Sequence, residues 1–451
     1  MALINGALIN GALINGALIN GALIDGALID GALIDGALID GAPIDGALIG
    51  GALTDPGPGR PGPFDACPPD PAPAAARPRT AGLGHPGADR GAPVDLGAAR
   101  RILAVRADNI GDVVTTTPAL HAIRAAAPHA RLDLLASPVG AAVAPMIDGL
   151  SGVLAVSPSW QQLSYAPGAT SGERALLDRL TAERYDVLFV FTSFSQSPWP
   201  VAHLGLLAGI GTRVVHSREF GGAVATHWVT PPPDTTHQVD RALHLLAAVG
   251  VPDRGRAPFL QVPPDAEDAA AQLHPPGAFA VLAPGASCAA RRYPPERFGA
   301  AAAQLAQAGL PVLVAGAAGE GALVARVVEA AAHPEVAPVP PVPLPVFTAL
   351  LRRAAVAITN NSGGMHLADA VRTPVAVTFA GTELPGDLQP RSVPAALLAR
   401  PVACSPCRQL QCPFDHECLD VTASDLAATA VTLAAAPASP EEDRWIVPST
   451  P

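Results

Sequence analysis

Two short stretches combine residue types whose spacing could do chemistry. Asn109-Ile110-Gly111-Asp112 follows an apolar run and precedes helical spacing, so it sets a carboxylate in the first turn of a helix. A carboxylate there can cap and charge the helix start, or take a proton from a substrate. Asn361-Ser362-Gly363-Gly364-Met365-His366 sets small residues and backbone N–H groups at another helix start. Such a start binds anions, because its first amides lack partners and the helix dipole points its positive end outward. A phosphate is the natural guest, and a plain glycine turn with Ser362 as N-cap is the bland alternative. Cys404, Cys407, Cys412 and Cys418 form a third group, spaced C-x2-C-x4-C-x5-C, which four thiolates could turn into a tetrahedral metal site.

Alternating strands and helices must position these stretches. Ile102 to Val105 reads as a strand, and apolar residues at helical spacing run from Val113 through Ile123. The pattern recurs: a strand at Leu132 to Ala136 then a helix to Ile147, a strand at Val153 to Val156, a helix at Glu173 to Arg184 and a strand at Val187 to Phe191. An amphipathic helix from His237 to Val249, stopped by Gly250, closes this half. After a Pro-rich bridge a second series begins, with strands at 278–283, 312–315, 356–359 and 375–379 and helices at 295–308, 320–332 and 365–370. Alternation of this kind implies parallel sheets covered by helices on both faces. The expected fold is α/β, two Rossmann-like doubly wound domains facing a cleft, with ligands beyond the carboxyl ends of the strands. The expected bounds are 99–255 for the first domain, 256–436 for the second and 437–451 for a tail. Neither half has GxGxxG between its first strand and helix, and no GxxxxGK[ST] occurs, so dinucleotide and P-loop readings lose their support.

Residues 1–98 read differently. Ala-Leu-Ile-Asn-Gly and Ala-Leu-Ile-Asp-Gly repeat with a period of five to about Gly51, which suits neither a helix nor a strand. A Pro- and Gly-rich linker follows, and the whole extension is expected to be disordered and non-catalytic. The 451 residues carry a net charge of -11, which argues against coating nucleic acid. No long apolar run or basic leader is present, so the chain is expected to be cytoplasmic. Six cysteines are too few for a disulfide scaffold.

Taken together, Arg106-x-Asp108-x-Ile110-Gly111-Asp112-Val-Val with Thr117-Pro-Ala-Leu, Pro284-Gly-Ala-Ser with Ala290-Arg-Arg-Tyr-Pro, and Asn361-Ser-Gly-Gly-Met-His-Leu-Ala with Thr373-Pro-Val-Ala-Val resemble the family 9 glycosyltransferases. That family includes the ADP-heptose:lipopolysaccharide heptosyltransferases, inverting enzymes of GT-B fold. The resemblance covers roughly 101–436. It implies transfer of a sugar, heptose from ADP-heptose, to a lipopolysaccharide-core or other cell-envelope glycan or glycolipid. It assigns Asp112 the general base and sets Arg106 and Asp108 on the acceptor side, where surface ion pairing is the competing reading.

On the donor side the resemblance places Arg291 where relatives have a phosphate-binding Lys, and Glu320 where an acid accepts ribose hydroxyls. Ser362, Gly363, Gly364 and Met365 would offer backbone amides to phosphate, with His366 and Thr382 nearby. Asn361 stands where many members have Asp. Relatives carry a similar Cys-rich stretch without being metalloenzymes, so the thiols are expected to be inert, with no metal and no cofactor. Nucleic acid is not an expected partner, and any membrane contact would be peripheral, on the inner face. The competing functions are the same fold with another nucleotide sugar, and a non-catalytic nucleotide-binding regulator or scaffold.

Overall fold

A computed structural model describes residues 33–34, 37–38, 93–162, 164 and 168–435. Within the N-terminal repeat, Leu33–Ile34 and Ala37–Leu38 pair antiparallel, so the five-residue period does accommodate a two-residue strand pairing at that point. The other expectations for residues 1–92 and 436–451 lie outside the described residues. Contacts divide the chain at Leu83/Gly84, and all that follows concerns the unit beginning at Gly84.

The first half contains β1 (Arg101–Arg106), β2 (Arg131–Ala136), β3 (Gly152–Ala155), β4 (Val187–Val190), β5 (Thr212–His216) and β6 (His227–Val229). They form one parallel sheet in the order β3-β2-β1-β4-β5-β6. The second half repeats that order with β7 (Ala280–Ala283), β8 (Val312–Val314), β9 (Val336–Pro338), β10 (Val356–Asn360), β11 (Val375–Thr378) and β12 (Ala395–Leu398), arranged β9-β8-β7-β10-β11-β12. Central strands such as Val187-Leu188-Phe189-Val190 are buried throughout, as a strand covered on both faces requires. The strand order reverses between β1 and β4 and between β7 and β10, and the loops leaving those strands line the crevice where such sheets bind ligands.

Helix α1 (Ile110–Ala126) leaves β1 and carries Pro118 in its interior. The carbonyl that proline leaves without an N–H partner is Val114 O, and it accepts instead from Thr117 Oγ1 at 2.7 Å. The helix expected to run on to Ile147 does not. Pro138–Ala141 forms one turn and Ala144–Met146 a 3₁₀ turn, with Pro145 at a position where a helix interior would lose a hydrogen bond. Helix α2 (Ala169–Glu183) and helix α3 (Trp199–Leu207) follow, and α4 (Gln238–Ala247) ends before Gly250 at φ 84°. Val94 N donates to Val249 O at 2.9 Å and Leu96 is buried, so the packed structure reaches back into the expected linker.

In the second half, α5 (Pro264–Ala271), α6 (Pro295–Gln307), α7 (Gly321–Ala331), α8 (Leu344–Arg353), α9 (Gly363–Ala370), α10 (Pro385–Leu388) and α11 (Ala423–Ala434) cover the sheet. One apolar core runs through both halves, from Ile102, Ala104 and Leu245 to Val281, Leu350 and Leu367. Alternate residues of the same strands, Leu103 and Val105 or Ala280 and Leu282, face separate outer cores. Arg391 of the second half also donates to Asp240 of the first at 2.9 Å.

Candidate active site

A cleft of about 800 Å³ lies between the two sets of strand ends. Its first wall is the β1 loop and the start of α1. Arg106, with a side chain 2% exposed, donates from Nη2 to Asp112 Oδ1 at 2.8 Å and to Ser193 Oγ at 2.9 Å. Its Nε stands 3.0 Å from Asp108 Oδ2 as an ion pair without hydrogen-bond alignment. The expected surface pairing of Arg106 and Asp108 is instead a pairing of two largely buried side chains, with Arg106 behind the wall and Asp108 in the cleft lining. Burial pushes the Asp108 carboxyl up against the opposing pull of Arg106, and Gln196 Nε2 donates to it. Asp112 is 22% exposed, lines the cleft, and accepts the Asn109 N–H at 3.2 Å through Oδ2. One Asp112 oxygen thus ties the helix start while the other meets Arg106, and the carboxylate lines the cleft.

The second wall is the β10 loop and the start of α9. Ser362 occupies the N-cap position, yet its hydroxyl donates to Gly285 O at 3.2 Å and makes no cap bond. Ser362 N is used by Asn360 O at 2.8 Å and Met365 N by Ser362 O at 3.1 Å, so two of the four amides expected to meet phosphate are already committed. The Gly363 and Gly364 amides open the helix and have no partner four residues back within it. Met365 is buried in the shared core, away from the cleft lining. His366 packs its ring against Gly111 so closely that a Cβ there would collide with it. Burial pushes the His366 pKa down to about 4, with Asp112 pulling it back up, so the ring is neutral near pH 7.

Arg291 comes from the β7 side. Its Nε donates to Thr382 Oγ1 at 3.1 Å and its Nη2 to Glu383 Oε1. Thr382 is buried and faces Arg291 and Glu383, outside the cleft lining. Glu320 lines the cleft, accepts the Ala317 N–H at 2.9 Å and packs against Gly285, where a Cβ would strike its carboxylate. Asn361 accepts the Ala380 N–H at 3.0 Å and donates to Glu383 Oε2 at 3.0 Å.

Sequence reasoning missed Glu383, Arg408, Asp387 and Phe194, which all line the cleft. The Arg408 guanidinium lies 4.3 Å from the centre of the Phe194 ring and donates to Asp387 Oδ2 at 3.0 Å. Backbone bonds from Cys407 N to Gly381 O at 2.9 Å and from Arg408 N to Thr382 O at 3.2 Å pin the Cys-rich segment beside this wall. Its thiols are unpaired, and among the described residues no three His, Cys, Asp or Glu side chains stand in metal-ligating geometry.

Paired sheets of this order around one cleft are the architecture of GT-B glycosyltransferases, and solved structures agree. A family 9 glycosyltransferase from Veillonella parvula superposes with a TM-score of 0.62 at 18% identity, covering 76% of this chain and 99% of its own. E. coli ADP-heptose LPS heptosyltransferase II gives 0.61 at 19%, covering 74% and 98%. E. coli heptosyltransferase WaaC with ADP-2-deoxy-2-fluoro heptose gives 0.55 at 19%, covering 74% and 98%. Residues 173–417 match the model of glycosyltransferase family 9 (heptosyltransferase), and the chain belongs to that family. It is a glycosyltransferase. No curated protein sequence matches it.

Proposed function

We propose that the protein transfers heptose from ADP-heptose, with inversion, to a lipopolysaccharide-core or other cell-envelope glycan. The observation that supports this is the pairing of opposite equipment across one cleft: a carboxylate at the start of α1 and an open helix N-terminus beside a cation on the facing wall. In this reading Gly363 and Gly364 amides hold the donor phosphates, Arg291 offsets the charge that grows on the departing diphosphate, and Glu320 accepts ribose hydroxyls. Asp112 takes the acceptor proton as the hydroxyl attacks the anomeric carbon from the other face. Arg106 orients that carboxylate, and Asp108 and Gln196 hold Arg106 and the loop. His366, neutral and buried, spaces the two helix starts.

Among the described residues no helix is long and apolar enough to cross a membrane. In this reading a lipid-linked acceptor is met peripherally, at the membrane's inner face. The test is turnover of labelled ADP-heptose, ADP-hexoses and UDP-hexoses side by side on truncated core acceptors. Product from ADP-heptose with inverted anomeric configuration is expected. Product from UDP sugars alone would replace the donor, and tight ADP binding with no product from any donor would make the protein a binder.

A further inference from the structure

Glu383 follows Thr382 in the loop after β11, and its side chain is only 9% exposed. An acid is an odd neighbour for a diphosphate, so its surroundings matter. Arg291 Nη2 donates to its Oε1, while Thr382 Oγ1 and Asn361 Nδ2, the latter at 3.0 Å, donate to Oε2. Arg291 Nε closes the ring through Thr382 Oγ1 at 3.1 Å. The Asn361 amide cannot turn over without loss, because its Oδ1 accepts the Ala380 N–H at 3.0 Å. Its nitrogen therefore has to face the acid.

We propose that Glu383 is a positioning residue for the donor diphosphate: it holds the Arg291 guanidinium in place, and it does so only because position 361 is a neutral amide that donates to it. The inference rests on the reading that Arg291 meets the donor phosphates. An arginine already fixed at Nε and Nη2 has less side-chain freedom to lose when the donor arrives. Its Nη1 has no partner among the described residues and remains available. The pair also cancels the charge that a bare carboxylate would set against the diphosphate. A carboxylate at position 361 would turn an oxygen toward Glu383 Oε2 at hydrogen-bond distance, and two acids that close cannot both ionise without displacing the ring.

The experiment is a double-mutant cycle on the full chain with ADP as the calorimetric probe, adenosine as control, and donor KM and kcat measured in parallel. E383Q should weaken ADP about five- to tenfold and raise donor KM in step, and kcat should fall as well, because Arg291 also offsets the charge that grows on the departing diphosphate. N361D should weaken ADP at least as much. The double variant N361D/E383Q should bind ADP at least about threefold tighter than N361D, because it restores one acid facing one amide. Adenosine should bind all four proteins equally. The inference is overturned if E383Q binds ADP as wild type does, if the double variant shows the product of the single losses, or if adenosine is lost along with ADP. R291A separates the two readings. Weaker ADP binding in R291A but not in E383Q sinks this inference alone, whereas wild-type ADP binding in R291A removes the phosphate assignment beneath it as well.

Discussion

The two halves of the molecule share a strand order but place their chemistry after different strands. In the first, the working loop leaves β1 and gathers two acids around one buried arginine, Arg106. In the second, the loop after β7 contributes Arg291, while the open helix start and the acid Glu383 come after β10 and β11. Repeated topology thus decides where a site forms, at the reversal of strand order, and loop composition decides what the site does. The acidic wall is suited to removing a proton. The wall of free amides with Arg291 and Arg408 is suited to holding an anion.

The same comparison explains how the walls are kept in register. The faces the halves turn toward each other belong to one core, whereas the outer faces have separate ones. Within that shared core α1 and α9 meet at their starts: a Cβ at Gly111 would collide with His366, and one at Gly363 would stand 3.2 Å from Ile110 Cβ. Two glycines bring the carboxylate and the free amides to facing positions, and each closes one side of the contact.

If the acidic wall is the catalytic one, the largest effect comes from Asp112. Asp112→Asn should lower kcat by about 10²–10⁴ while ADP binding stays near wild type. Some stability should go too, since the charge-assisted bonds to Arg106 and the Asn109 N–H weaken. Unchanged kcat would reduce Asp112 to a helix cap and erase the contrast between the walls. The anion wall is tested next. Arg291→Ala should weaken ADP by about 10- to 100-fold, the usual worth of a charged hydrogen-bonding partner, and leave adenosine almost untouched. Equal losses for both ligands would show that the arginine only holds the loop.

Much of this was legible in the sequence, and the failures share a cause. The strand expected at 278–283 is β7 at Ala280–Ala283, and the helix expected at 295–308 is α6 at Pro295–Gln307, because apolar periodicity and helix-starting prolines are local signals. The sheet-flanking strands β6 and β9, three residues each and interrupted by His, Trp or Pro, left no such pattern. Site residues divide the same way. Asp112, Ser362 and Gly363 sit in contiguous motifs, whereas Glu383 gains meaning only from Arg291, 92 positions away. Arg106 was legible as a charge but not as a buried one, since burial depends on the loop at Ser193 and Gln196 folding over it.

The contact between the walls gives a smaller effect. Gly363→Val should lower thermal stability by about 1–3 kcal/mol and weaken ADP, because its side chain must push Ile110 and α1 away before it affects any ligand. Weaker ADP binding with unchanged stability would mean that the helix starts are not held by this packing.

The smallest effect concerns pH and isolates His366. In the folded protein its pKa is lowered to about 4 by burial, while in the unfolded chain it returns to about 6.5. Between those values the unfolded chain binds a proton that the folded protein does not, so stability falls as pH drops below about 6.5 and keeps falling toward 4. Above about 6.5 the group contributes no slope. For this one ring the loss from pH 7 to pH 5.5 is about 1 kcal/mol. His216 and His237, pushed down to about 2 and about 4 by burial, add slopes of the same sign, so wild-type acid sensitivity alone assigns nothing. The informative quantity is the difference between wild type and His366→Gln. Denaturant unfolding at pH 7 and pH 5.5 should show the variant losing about 1 kcal/mol less on acidification, whatever its stability at pH 7. An identical loss in both proteins would mean that His366 is not kept neutral between the helix starts, and the walls would then meet differently from the packing described above.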